Sequence, residues 1–353
     1  MASDTSTAHV RRFAVESNGA MLRIGGLAAV VIALVLLPVF ASRPLLQDLF
    51  FVFTMLALAQ YWNLLAGYAG LVSIGQQAFV GLGAYTLFAA TLIGGLDPLI
   101  AIILAGIVAG VLAVPTAFVV FRLRGAYFAI GTWVAAEVFR LILAQMKQLG
   151  GGTGTSLGPE ITNTMAGLAW IAETFSVRMP AARDIAVYWL ALALLVGTLV
   201  LVYLLLRSRR GLALASIRDS EIAAVSLGVD SFRTRLAVYG LAAFGTGMIG
   251  ALIYLQKARI SPDAAFSVLD WTAYVIFIVV IGGIGTIEGP IVGAIVLYFL
   301  QDYLATLGTW YLIILGALAA LVMLVAPKGI WGYVVARFDI QIVPIRRRLR
   351  IPD

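Results

Sequence analysis

Hydrophobic residues along this chain come in long runs separated by short polar joints. A run of about 20 apolar residues matches the hydrocarbon thickness of a bilayer. Ten runs meet that measure: 24–42, 46–66, 77–94, 98–121, 126–146, 185–206, 236–256, 271–287, 290–307 and 309–326. The expected fold is all-α, a polytopic integral membrane protein of about ten transmembrane helices with glycine-rich broken or closely packed segments. It divides into an N-terminal tail over 1–23, a transmembrane domain over 24–326 and a basic tail over 327–353.

Two joints are long enough to form structure of their own. The one over 147–184 opens with GGGTGTSLGP, whose glycines and Pro159 predict turns. The other, over 207–235, interleaves Leu212, Ala215, Ile217, Ala223, Ala224 and Leu227 with charge. This pattern predicts two short amphipathic helices lying at the membrane surface.

Composition agrees with the pattern: 62% of the 353 residues are hydrophobic and the mean hydropathy is +1.03, against about 45 to 50% apolar residues in soluble domains. The net charge of +7 does not form a nucleic-acid patch, because the basic residues flank the apolar runs. They cluster at Arg11, Arg12 and Arg23, at Arg122 and Arg124, at Arg207, Arg209, Arg210 and Arg218, and at Arg337, Arg346, Arg347, Arg348 and Arg350. Each cluster follows an even number of spans, so both termini are expected in the cytoplasm. Arg43, Lys147, Lys257 and Arg259 fall on the opposite side as exceptions. The N-terminus also resembles a signal peptide, but its apolar run exceeds the usual 7 to 15 residues, so an uncleaved helix is expected.

Chemistry is narrowed by what is missing. There is no cysteine, and His9 in the N-terminal tail is the single histidine, which removes disulfides, thiolate nucleophiles and His-based acid/base enzymes. No metal or cofactor is expected. The phosphate-binding pattern G-x-x-x-x-G-K-[ST] does not occur, so any ATP must be bound by another polypeptide.

Polar groups inside apolar runs are therefore the candidates. Glu137 and Arg140 lie three residues apart near the middle of the fifth span, on one helical face. Eight strongly apolar neighbours contribute about −0.3 to −0.6 kcal/mol each, and each charge costs about +2.5 to +3.5. That face must meet protein or water, either as part of a solute path or as a self-neutralising pair. The stretch GYAGLVSIGQQAFVGLGAY over 67–85 and the stretch GGIGTIEGP over 282–290 carry too much glycine for ordinary spans. Each is either a break in a helix at a transport path or a site of close helix packing. Gln60, Asn63, Gln301 and Asp302 are weaker signals, since polar residues near helix ends usually bond to neighbours.

In order and spacing, these two stretches together with RGAYFAIGTWVAAEVFRL, GGTG, RRGLALASIRDSEIAAVSLGVD and PKGIWG resemble the permease subunits of branched-chain amino acid ABC importers, more closely the LivM type than the shorter LivH type. The resemblance covers roughly 45–335. It implies a partner set of a second homologous permease, two cytoplasmic ATP-binding subunits and a periplasmic solute-binding protein, in a bacterial inner membrane. It also implies that the inner joint docks on the ATPases through Arg218, Asp219, Glu221, Ala223, Ala224 and Gly228, with the glycine ending the helix. Ile222, inserted before the alanine pair, departs from the usual pattern and leaves the exact docking register open, though not the docking itself. Gln76 and Gln77 stand where relatives carry a glycine–histidine pair, which argues against a proton-coupled role there.

The expected translocation path comprises Gln76, Gln77, Gly81, Tyr85, Tyr127, Thr132, Glu137 and Arg140, with strong recognition left to the external protein. Relatives of the same kind handle urea and short amides. Two further classes stay open: an ion-driven secondary transporter using Glu137, and a membrane-embedded enzyme that would need Glu137, Arg140, Asp270 or Glu288 to converge.

Overall fold

The computed structural model describes residues 20–304, 308, 310–326 and 328–338. Most of the expected tails, including Arg11, Arg12, Arg346, Arg347, Arg348 and Arg350, lies outside the described residues. The chain is helical almost throughout. It forms α1 (Ala20–Leu36), α2 (Arg43–Asn63), α3 (Gln76–Leu92), α4 (Pro98–Val120) and α5 (Ala126–Ala144). Then follow β1 (Thr155–Ser156), α6 (Pro159–Thr162), α7 (Leu168–Thr174), α8 (Met179–Arg207), α9 (Arg209–Asp219), α10 (Glu221–Ser226) and α11 (Ser231–Lys257). The last elements are β2 (Arg259–Ile260), α12 (Pro262–Ala265), α13 (Tyr274–Gly282), α14 (Gly289–Leu304), α15 (Trp310–Val325) and α16 (Gly329–Phe338).

A helix occupies each of the ten predicted spans. Among the described residues seven helices are long and apolar enough to cross a bilayer by length and composition. One of the seven is the stretch Pro262–Gly282, which takes in α12 and α13, whereas α1, α3 and α14, at 17, 17 and 16 residues, are not among them. For α3 and α14 the cause is local: each begins where an irregular segment ends.

Polar caps set several boundaries. Asp97 accepts from the Leu99 amide at 2.7 Å, with Pro98 in the first turn of α4. Ser208, Ser220 and Asp230 cap α9, α10 and α11 in the same way. Gly228, at φ +85°, follows α10, and the Val229 amide returns to the Ala224 carbonyl at 3.0 Å. The glycine terminus expected there is present.

Several boundaries differ from the sequence reading: the first span ends its α-helix at Leu36 rather than 42, and the seventh starts at Ser231 rather than 236. The sixth span begins at Met179 rather than 185, because the turn containing Pro180 is helical and carries Asp184 into the packed interior. The eighth span stops at Gly282 rather than 287, since Gly283 takes φ +137°, which only glycine adopts readily.

The core is built on α2, α3, α4, α8, α11 and α13. α3 and α11 approach so closely that a Cβ on Gly83 would stand 2.0 Å from the Gly247 carbonyl oxygen, and one on Gly250 would stand 2.4 Å from that of Val80. Lipid tails are as apolar as leucine, so such backbone contact supplies the attraction between helices that water exclusion cannot. The joint after α5 folds back on the segment after α11: β1 and β2 pair antiparallel, Thr155 opposite Ile260 and Ser156 opposite Arg259. This ribbon marks one end of the bundle, and α9 and α10 mark the other.

Candidate functional site

Both glycine-rich stretches are breaks, and they meet. α2 runs into a π-helical turn over Leu64–Tyr68, after which residues 69–75 are not helical until α3 begins at Gln76. Residues 283–288 form the second irregular segment, between α13 and α14. Asn63 joins them by donating through Nδ2 to the Thr286 carbonyl at 2.7 Å and accepting at Oδ1 from the Gly285 amide at 2.8 Å. One turn earlier, Gln60 Nε2 donates to the Ile287 carbonyl at 2.7 Å. Gln60 and Asn63, weak signals in the sequence, are the fasteners. The signal that could have found them is their placement one turn apart just before a predicted break, where unpaired backbone needs partners.

The first break satisfies itself in the same manner. Trp62 Nε1 donates to the Ser73 carbonyl at 2.8 Å, and the Ile74 amide donates to Thr132 Oγ1 at 3.1 Å. Irregular backbone at membrane depth is tolerated where protein surrounds it. Thr132 is held in turn, donating to the Ala129 carbonyl at 2.8 Å.

The residues expected along a translocation path separate into two groups. Gln76, Gln77, Gly81, Tyr85 and Thr132 are buried inside the bundle. Gln76 Nε2 donates to the Leu58 carbonyl at 2.9 Å, while Gln77 Oε1 accepts from Thr272 Oγ1 at 2.5 Å. These amides fasten the start of α3 to α2 and to the π-helical turn Leu269–Ala273. Gly81 lies against the Phe266 ring. Tyr127 faces outward on α5 at 74% exposure, while Glu137 and Arg140 are half-buried on the same helix.

Glu137 and Arg140 do pair on one face, Oε1 to Nη2 at 2.5 Å. A third charge joins them: Arg140 Nη1 reaches Asp263 Oδ1 at 2.7 Å. Asp263 sits in α12, just beyond the ribbon, and Arg140 is four residues from the end of α5, about 6 Å along the helix axis. The cluster thus belongs to the ribbon end of the bundle and not to its middle.

At the other end, α9 and α10 touch the breaks directly. Arg218 Nη1 donates to the Gly67 carbonyl at 3.0 Å, inside the π-helical turn that precedes the first break, while its Nε stands 3.6 Å from Asp219. Glu221 is bound within the chain, accepting from Ser231 Oγ at 2.8 Å and Arg235 Nη1 at 2.9 Å. The Ser231 hydroxyl, with Arg235 beside it, holds the carboxyl below the usual carboxylate value.

The alanine pair behaves differently from the expectation. Ala223 is exposed, whereas Ala224 is turned into the bundle at 1% exposure, so it is not part of a flat outer face. The outward apolar positions are Ile222, 83% exposed, with Val225 and Leu227. The inserted Ile222 is therefore one of the exposed apolar side chains of α9 and α10, as is Leu212 at 73%.

A cavity of about 520 Å³ opens beside this region, lined by Gly70, Leu71 and Val72 of the first break, the α4–α5 corner with Arg124, and Glu221 and Arg235. Among the described residues no group of three or more acidic or histidine side chains is arranged to hold a metal ion.

Over residues 45–326 the chain matches the family described as branched-chain amino acid transport system / permease component. It is 29% identical over 315 residues to the high-affinity branched-chain amino acid transport system permease protein LivM of Escherichia coli K12, covering 86% of this chain and 74% of that protein. It is 30% identical over 279 residues to the protein of the same description from Salmonella typhimurium LT2, covering 76% and 65%. No solved structure matches the chain.

Proposed function

Because this chain belongs to the permease family of branched-chain amino acid transport systems, we propose that it is a membrane-spanning subunit of an ATP-driven importer of branched-chain or other hydrophobic amino acids. It forms the translocation path with a second, homologous permease. Two cytoplasmic ATP-binding subunits drive it and an external solute-binding protein supplies it, in a bacterial inner membrane. Residues 24–326 are the permease domain, both termini are cytoplasmic, and the chain itself catalyses no reaction.

In this reading α9 and α10 lie at the cytoplasmic end and receive the ATPases on Ile222, Val225 and Leu227. Apolar side chains left exposed outside the spans are what a protein partner would cover. The observation that carries the coupling role is the Arg218–Gly67 hydrogen bond. A push on α9 reaches the first break through that bond, and Asn63 and Gln60 pass it to the second. The breaks are the segments able to hold two arrangements, as alternating access requires.

One of the four exceptions to the charge rule is compatible with the same orientation. Arg43, at the external end, is paired with the buried carboxylate of Asp184. A cation neutralised in this way carries little weight in setting topology.

The reading is tested by purifying the chain from its own membranes in mild detergent and identifying what stays attached by mass spectrometry. Two soluble ATPases and a second permease are expected. A chain that comes down alone, even after crosslinking, overturns the coupling role of 207–235.

A further inference from the structure

At the ribbon end a second cavity, of about 450 Å³, opens between α2, α11, α13 and α14. Its volume is within the range of small-molecule pockets. One wall is apolar and aromatic, made by Phe50, Phe51, Ile253 and Trp271; Lys257 and Asp270 supply one charge of each sign. Lys257 Nζ rests 4.7 Å from the centre of the Trp271 ring and 5.3 Å from that of Tyr254, a cation–π seat that fixes its position. Among the described residues neither Lys257 nor Asp270 forms a salt bridge within 4.0 Å, and Asp270 is near enough for its charge to act on Lys257.

The neighbouring carboxylate is differently placed. Asp184 takes Arg43, Gln47 Nε2 at 3.3 Å and Gln256 Nε2 at 3.0 Å, so its charge is answered within the chain. Gln256, which also lines the cavity, keeps its Oε1 buried without a partner among the described residues. The cavity lining thus brings together an ammonium seated on aromatic rings, a carboxylate, an unpartnered amide oxygen and apolar side chains. That set is complementary to a small zwitterion with an apolar tail.

We infer that this cavity is an external binding site of the permease itself for an amino acid with an apolar side chain, Lys257 receiving the α-carboxylate, Asp270 and Gln256 the α-ammonium, and Phe50, Phe51, Ile253 and Trp271 the tail. The inference rests on the import reading for its solute class. It goes beyond that reading by giving the permease a recognition site separate from the external protein and from the residues expected along the path.

The test is equilibrium binding of radiolabelled leucine to the assembled permease–ATPase complex in lipid nanodiscs, without the solute-binding protein, with leucinamide and 4-methylpentanoate as competitors. Leucinamide lacks the carboxylate and 4-methylpentanoate lacks the ammonium. Lys257→Gln should weaken leucine binding about tenfold or more and leave leucinamide unaffected. Asp270→Asn should weaken leucine similarly and leave 4-methylpentanoate unaffected. Lys257→Arg, keeping the charge, should retain binding and shows that the site still folds.

Leucine binding that is absent in the wild-type complex, or unchanged in both charge-removing variants, overturns the site while import by the full system still stands. If the full system with its external protein imports no branched-chain amino acid, the import reading fails and this site falls with it.

Discussion

The breaks beside α9 and α10 and the charged groups of the ribbon end use polar side chains differently, although charge pairs such as Glu221–Arg235 occur at the first end too. At the end carrying α9 and α10, Gln60, Asn63 and Arg218 spend their hydrogen bonds on backbone carbonyls and amides of the two breaks. At the ribbon end, charges meet other charges or aromatic rings: Arg43 with Asp184, Arg140 with Glu137 and Asp263, Lys257 over Trp271. Side chain-to-backbone bonds tie segments together and make their movements common. Charges that leave backbone alone can be answered by a solute. The difference teaches that the first end is suited to transmitting a displacement and the second to receiving a ligand.

The largest expected effect comes from the packing that holds the two ends in one body. Gly83→Leu drives a side chain into the Gly247 backbone and should cost about 3 kcal/mol or more. Little monodisperse protein should survive size-exclusion chromatography. Gly81→Leu meets the Phe266 ring instead of backbone and should cost less, about 1 to 3 kcal/mol. Equal losses in the two variants would show that backbone approach is not what ties α3 to α11.

Next is Asn63→Ala, which strands the Thr286 carbonyl and the Gly285 amide at about 1 to 3 kcal/mol for each group left unsatisfied. Melting in detergent should fall, and amide exchange should rise at 283–288 as well as at 69–75. Exchange confined to the first break would separate the two segments and weaken the case for a common movement.

Arg218→Ala should leave the chain inserted and assembled but lower import about two- to thirtyfold relative to ATP hydrolysis, the range of coupling changes from residues that touch neither ligand. Import and hydrolysis falling in step would place Arg218 in the docking surface rather than in transmission.

Glu221→Gln should have the smallest effect, and one that depends on pH. The folded-state value lies below the ordinary 4.5, so the carboxylate contributes stability above that value, and the contribution disappears as pH falls through the folded value. Wild-type and variant melting temperatures should differ by a steady offset at neutral pH and converge in acid. A difference that grew in acid would contradict the Ser231 and Arg235 contacts.

Much of this was legible in the residues. Ten helices stand where ten apolar runs were marked, and the glycine-rich stretches at 67–85 and 282–290 do interrupt helices. Ser220, Asp230 and Gly228 set the ends of α10 and α11 through local hydrogen bonds that need no tertiary partner. Bilayer thickness, capping and the conformational freedom of glycine act over a few neighbouring residues, so sequence alone determined them.

Which way a side chain faces was decided elsewhere. Asn63 and Thr286 are 223 positions apart in the chain, and no local rule pairs them. Gln76 and Gln77 sit among apolar neighbours in a way that fits a solute path, yet the fold uses them to bind α3 to α2 and to the turn before α13. In a span where nearly every position is apolar there is little periodicity from which to read a buried face. The inward turn of Ala224, the exposure of Ile222, the meeting of the breaks and the bringing together of Lys257 and Asp270 in one cavity follow only from how the helices cross, because backbone contact between small residues sets the rotation of each helix.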